Sequence, residues 1–336
     1  MSNPRQSFRR LLQFTVVLAL CVIILGAYTR LSDAGLGCPD WPGCYGHLVG
    51  VPDELPHDEF DRPLETDKAW KEMIHRYLAG ILGLAVLAIF IFAVAKRKQL
   101  QQSVLLPTLL LCTVIFQALL GMWTVTLLLS PVIVTAHLIG GFTTLSLTWL
   151  LLLNQSRDTN APGPDTSMGL RFWAAIGFLL LVGQIFLGGW TSTHYAALAC
   201  GTDFPTCMSQ WWPTMDFDSA FQFVHHTGVD YEFGTLESPA RTAVQVTHRI
   251  GALIVGTYLI GLFLLLLVQP QRKFAGLAGT LLLVLATQIT LGILNVVMAL
   301  PLSIAVAHNL VAALLLLTVI TINHRSWFRV AAPDKR

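Results

Sequence analysis

Apolar residues fill eight long stretches of this chain, at about 11–30, 72–95, 104–127, 131–153, 170–192, 242–267, 274–298 and 302–323. Each is close to the roughly 20 residues that a helix needs to cross a bilayer. The stretches are continuously apolar and lack the period-two alternation of a barrel strand, so they predict helices. The expected fold is all-α and integral to a membrane, with eight spanning helices. Arg5, Arg9 and Arg10 precede the first stretch in the manner of a secretory leader. That stretch is long enough to span and no clear small-residue cleavage site follows it, so it is read as a retained first helix.

Composition agrees with a membrane protein. The chain is 54% hydrophobic and 12% charged, where a soluble domain carries about 25% charged residues. The net charge is +2 with no long run of one sign, so nothing points to a nucleic-acid partner. The distribution of charge says more than its sum. Lys and Arg gather in the N-terminal arm, at Lys96, Arg97 and Lys98, at Arg157 and Arg171, at Arg272 and Lys273, and in the tail at Arg325, Arg329, Lys335 and Arg336. With eight spans these segments share one side, which the positive-inside rule makes cytoplasmic, both termini included. The long loops at about 31–71 and 193–241 then face outward. Both are acidic, the first carrying Asp53, Glu54, Asp58, Glu59, Asp61, Glu65 and Asp67.

The chain also repeats itself. Ile74-His75-Arg76 is matched by Thr247-His248-Arg249, and Ala136-His137 by Ala307-His308. Gln117 precedes His137 by 20 residues, as Gln288 precedes His308, with Pro131 and Pro301 in corresponding places. Tyr28-Thr29 leads to Cys38 as Trp190-Thr191 leads to Cys200. The steps are 173 for the first histidine pair, 171 for the second and 162 for the cysteines. Two four-helix bundles related by a pseudo-two-fold axis along the membrane normal are expected, because an even number of helices per repeat gives parallel repeats. The halves are taken as 1–155 and 169–336, joined by a cytoplasmic linker at 156–168 that contains Pro162, Gly163 and Pro164.

Four of the ten histidines lie within the spans, where an ionisable side chain is costly and marks a functional site. His75 and His248 are expected in the first turn or so of their helices. His137 and His308 are expected about six residues in, on the order of 9 Å along the axis. Two imidazoles on facing helices of a bundle are suited to clamp a haem iron; a zinc ion would want three or four ligands close together. Arg76 and Arg249 could meet haem propionates or simply snorkel to the interface. Glu72, three residues before His75, is replaced by Gln245 before His248. That difference suggests proton-coupled chemistry in the first half and electron relay in the second; the alternative is an acid favoured by the helix N-terminus. Cys38 and Cys44, and Cys200 and Cys207, could form loop disulfides, structural or redox-active, and neither pair has the form of a covalent haem attachment. Cys21 and Cys112 read as small apolar filler. His47, His57, His194, His225, His226 and His324 read as loop or span-end residues.

The run Gly35-Leu36-Gly37-Cys38-Pro39-Asp40-Trp41-Pro42-Gly43-Cys44-Tyr45-Gly46 resembles the signature loop of the haem A synthase family of bacteria and mitochondria. Glu72-Met73-Ile74-His75-Arg76, Ala136-His137, Thr247-His248-Arg249 and Ala307-His308 are similar to its other motifs. The resemblance extends from about residue 11 to 324. It implies an enzyme of the bacterial inner membrane that oxidises a methyl group of haem O to the formyl group of haem A through successive hydroxylations. It implies that His75 and His137 hold the substrate haem, that His248 and His308 hold a haem b cofactor, and that Glu72 is the catalytic acid. Haem O synthase would be the upstream partner. A dihaem b-type electron-transfer subunit and a haem transporter or chaperone are the rival readings. The electron acceptor and the oligomeric state, a homo-oligomer included, stay open.

Overall fold

The computed structural model describes residues 3–54, 60, 62–155, 166–224, 226–269 and 274–328. Most of the expected linker lies outside them, with Pro162, Gly163 and Pro164. So do His57, His225, Asp58, Glu59, Asp61, Arg157, Arg272, Lys273, Arg329, Lys335 and Arg336. The described residues form ten helices: α1 (Pro4–Leu31), α2 (Thr66–Ala95), α3 (Arg97–Leu100), α4 (Leu105–Thr126), α5 (Pro131–Asn154), α6 (Met168–Thr193), α7 (Phe217–Ala220), α8 (Ser238–Leu267), α9 (Ala275–Val297) and α10 (Leu302–Trp327). Eight of them are long and apolar enough to cross a membrane, and α3 and α7 are single turns. The protein is a multi-pass, all-α membrane protein, as the hydropathy pattern predicts.

Several helices overrun their apolar stretches. The α2 helix begins at Thr66 and α8 at Ser238, ahead of the expected 72 and 242. Charge does not stop a helix whose acids and bases pair along one face. Lys68 meets Glu65 at 2.9 Å and Lys71 meets Asp67 at 2.5 Å. Pro239 sits in the first turn of α8, where its missing N–H has no helical partner to lose. This corrects the expected depth of two histidines. His75 lies nine residues beyond Thr66 and His248 ten beyond Ser238, on the order of 14–15 Å into their helices and not in the first turn.

The packing follows the repeat. The α1, α2, α4 and α5 helices close a four-membered ring by neighbour contacts, and α6, α8, α9 and α10 close another. The rings meet through α1 against α10, α5 against α6, and α5 against α10. Exchanging α1 with α6 and α5 with α10 swaps the first two contacts and returns the third to itself, which is the signature of a two-fold relation. One apolar cluster runs from Phe8 and Leu12 through Leu145 and Leu151 to Leu259, Leu281 and Ile322, so the halves share a core. Polar bonds also cross the boundary. Trp149 Nε1 donates to Thr321 Oγ1 at 2.9 Å, His324 Nε2 lies 3.0 Å from Asn154 Oδ1, and Arg30 donates to the Ser192 carbonyl at 2.7 Å.

The two long loops share one face of the bundle. Arg62 in the first pairs with Glu232 in the second at 2.8 Å, and with Asp230. Tyr231 N–H donates to the Leu128 carbonyl at 3.0 Å, and its buried side chain packs with Leu36, Val125 and Leu129. A piece of the second loop therefore rests on the first half. The opposite face carries Arg5 bonded to Gln99 and Gln101.

The α5–α10 hydrogen bond provides a test of the boundary. Thr321→Val should remove the acceptor of Trp149 and lower stability by about 0.6 kcal/mol, the average for such bonds between membrane helices. Equilibrium unfolding in mixed detergent checks this, and Trp149→Phe should not add to it.

Candidate functional site

Each spanning histidine packs against a glycine on the neighbouring helix. A Cβ on Gly26 of α1 would stand 2.9 Å from His75 Cε1, and one on Gly121 of α4 would stand 3.3 Å from His137 Cε1. In the second half the corresponding figures are 3.3 Å for Gly188 against His248 and 3.1 Å for Gly292 against His308. Any larger residue would push the rings away. These glycines recur at the steps of the repeat, 26 to 188 and 121 to 292. Residue-by-residue reading of the histidines missed them, but that recurrence was available to find them.

The histidines of each half are close enough to interact electrostatically, His75 with His137 and His248 with His308. Glutamines hold the helices that present them. Gln117 Nε2 donates to the His137 carbonyl at 2.7 Å, and Gln288 Nε2 lies 3.2 Å from His308 Nε2. Gln184 Nε2 donates to the His248 carbonyl at 3.0 Å and lies 3.0 Å from His248 Nδ1. Nδ1 of His75, His137 and His308 is shielded from solvent and has no hydrogen-bond partner, as are the Oε1 atoms of Gln117, Gln184 and Gln288. Buried polar atoms are rarely left so. A pair of imidazoles in each four-helix ring, every ring facing a glycine and three of the four with an orphaned Nδ1, fits the donor set of a haem. Among the described residues no three His, Cys, Asp or Glu side chains gather to hold a bare ion.

The cysteines are paired. Cys38 is bonded to Cys44 and Cys200 to Cys207, with Cα separations of 4.8 and 4.5 Å. The two loops have one construction. Asp40 accepts from the N–H groups of Tyr45 and Gly46, and Asp203 from that of Ser209. Main-chain bridges join Cys44 to His47 and Cys207 to Gln210. The Tyr45 hydroxyl donates to the Pro63 carbonyl at 2.9 Å, and burial, opposed by the nearby Arg62, raises its pKa above the ordinary tyrosine value.

Helices α2 and α8 anchor these loops. Glu72 is buried; its Oε2 accepts from Cys38 N–H at 2.9 Å and its Oε1 from Arg76 at 2.5 Å. Gln245, also buried, accepts from Cys200 N–H at 2.6 Å and donates to the Ala197 carbonyl at 2.6 Å. Arg76 donates to the carbonyls of Asp40, Pro42 and Gly43. Arg249 donates to those of Thr206 and Asp203 at 2.8 and 3.0 Å. Neither guanidinium snorkels freely, and both spend donors on loop carbonyls that a propionate would have to share.

The other histidines divide. His194 is buried against Trp190, with ring centroids 4.4 Å apart, and His324 is buried beside Asn154. Both are packing residues at helix ends. Cys21 and Cys112 are free and exposed on the apolar surface.

Fold and site together define a polytopic membrane protein of two like four-helix bundles, each with a histidine pair beneath a disulfide loop. The chain belongs to the cytochrome oxidase assembly protein family (COX15-CtaA), whose model matches residues 9–320. It is 47% identical to the haem A synthase of Shewanella oneidensis, over 97% of this chain and 98% of that one. It is 26% identical to the haem A synthase of Halalkalibacterium halodurans over 89% of this chain and 90% of that one. With the haem A synthase of Paracoccus denitrificans it shares 27% identity over 96% and 89% of the two chains.

The glycine contacts predict a graded effect. Gly26→Ala, the closest approach, should displace His75 and deplete haem from the first half, while Gly188→Ala should do less to the second. Haem content per protein, by pyridine haemochrome and extraction, measures both; unchanged loading in Gly26→Ala would show that the ring has room to move.

Proposed function

We propose that this chain is a haem A synthase, an oxidoreductase that converts a methyl group of haem O to the formyl group of haem A. The observation that carries the reading is a histidine pair, each ring packed against a glycine, in each half of a chain that matches relatives of that name along nearly its whole length. In this reading His75 and His137 hold the substrate haem. His248 and His308 would hold a b-type haem, which would supply a one-electron redox centre. The membrane would be the bacterial inner membrane, with both termini cytoplasmic and the disulfide loops outside. The Lys and Arg distribution supports that orientation, and haem O synthase would deliver the substrate.

Taking a methyl group to an aldehyde with oxygen from water releases electrons and protons, so the site needs an electron acceptor and a proton acceptor. Glu72 is the carboxylate nearest in sequence to His75, one helical turn ahead of it on the same face. It is assigned the proton-accepting role. Its bonds to Cys38 N–H and Arg76 hold its oxygens in place at the foot of the disulfide loop, on the helix that carries the imidazole. The second half provides a control for this assignment, because Gln245 anchors its loop with an amide.

Two experiments follow. The chain is expressed with haem O synthase in a host that lacks haem A, and extracted haems are separated with mass detection. Haem A or its hydroxylated intermediate should form only with the intact chain. Glu72→Gln should keep its loop and haem but lose about 10²–10⁴-fold in product formation, the usual weight of an acid–base group. Glu72→Ala should lose the loop anchor as well. Normal output from Glu72→Gln would remove the residue from the chemistry, and haems B and O alone from well-loaded wild type would favour a dihaem electron-transfer subunit. In the second experiment, His248→Ala and His308→Ala should each abolish the b-type spectrum while substrate haem is retained; a full b signal in either would reverse the assignment of halves.

A further inference from the structure

Each disulfide loop carries an apolar tip that the helix bundle leaves uncovered. In the first loop Leu48 and Val49 are 72% and 82% exposed, and in the second Trp211 and Trp212 are 77% and 68% exposed. These pairs occupy matching places, four and five residues beyond Cys44 and Cys207. Exposed apolar pairs at the same point of a repeated loop call for a common partner.

The height of the tips identifies that partner. On α2 the last charged residue is Arg76, and Tyr77 to Ala95 is an uncharged run of 19 residues, about 28 Å of helix and close to the ~30 Å hydrocarbon thickness. On α8 the last charge is Arg249, and the uncharged run begins at Ile250. Tyr77 and Ile250 therefore mark the edge of the hydrocarbon. Gly50 N–H donates to Tyr77 Oη at 2.7 Å, which sets Leu48 and Val49 at that edge. The face they join is the exposed apolar stripe Ile74, Tyr77, Ile81 and Leu84. Arg249 holds the second loop through Thr206 and Asp203 as Arg76 holds the first through Gly43 and Asp40. The tryptophan pair is accordingly set at the matching level of α8, where Ile250, Leu253 and Ile254 are exposed. Tryptophan is the side chain most at home between headgroups and acyl chains.

We infer that the two disulfide loops are interfacial anchors. Their tips, Leu48-Val49 and Trp211-Trp212, insert at the headgroup–acyl boundary of the leaflet on the loop side. The loops thereby ride on the bilayer as well as on α2 and α8. Aromatic neighbours Trp41 and Phe204, both exposed within the disulfide rings, extend the same surface. Lipid is the occupant because the tips continue the lipid-facing stripes of spanning helices and carry no charge of their own.

The test uses the full-length protein in nanodiscs of phosphatidylcholine, with and without acyl chains brominated near the headgroup. Wild type is compared with Trp211→Phe/Trp212→Phe, which removes two of the nine tryptophans, and with Leu48→Trp, which adds one. Emission lost in the double variant, and emission gained in Leu48→Trp, should be quenched more by brominated lipid than by acrylamide in the water. Stronger quenching by acrylamide in both would overturn the inference and leave the tips facing water or a protein partner. Each variant reports on a different loop, so misfolding of one leaves the other to decide.

Discussion

A side-chain oxygen on a histidine-bearing helix, accepting the backbone N–H of the first cysteine of a loop, is the contact on which each half depends. Glu72 makes it to Cys38, and Gln245 to Cys200. Backbone donors at the margin of a bilayer need partners, because burial without one costs more than a typical hydrogen bond returns. The acceptor stands one turn before the histidine, and the arginine that takes the loop's carbonyls stands one residue after it. Loop position and imidazole direction are thus set by a single helical register. A rotation of α2 that moved His75 would pull Glu72 and Arg76 off the loop together. The disulfide then closes a loop already held at both its donors and its acceptors.

The opposing constraint comes from the neighbouring helix. An imidazole inside a four-helix ring needs room that ordinary side chains would fill, and glycine on the facing helix provides it. The same absence of a side chain lets two helices approach closely, as membrane helices do at small residues. Glycine here serves packing and cavity at once. Gly189, next to Gly188, plays only the first part, since a Cβ there would meet Leu138 of the other half at 2.8 Å.

Eight spans, their duplication and the histidine pairs were legible in the chain, because lipid enforces long apolar runs and repeats preserve spacing. The ends of α2 and α8 were not, since the start of α2 is polar and held by pairs such as Lys71–Asp67 and that of α8 opens on Ser238 and Pro239, which hydropathy does not register. The destination of Arg76 and Arg249 was also hidden. A basic residue beside a candidate haem ligand suggests a propionate, and only three dimensions bring carbonyls 33 to 46 residues away onto it. The clasp of Arg62 on Glu232 joins residues 170 apart, with no periodicity to announce it.

The two halves depart from symmetry at both ends of the histidine environment, and in a consistent sense. Glu72 brings a carboxylate where Gln245 brings an amide. At the corresponding place on the first helix of each half, Val22 stands where Gln184 reaches both the ring and the carbonyl of His248. The first half therefore has a titratable carboxyl one helical turn from an imidazole whose neighbour on the first helix is the Val22 main chain. The second has no carboxylate at that position and a ring restrained by a further amide. A group that must accept protons as its substrate changes needs the former. A redox centre that should change little as electrons pass is better served by the latter, because fixed neutral dipoles need not reorganise. In the proposed reading, these two substitutions on one duplicated scaffold are what would distinguish a reacting site from a relay.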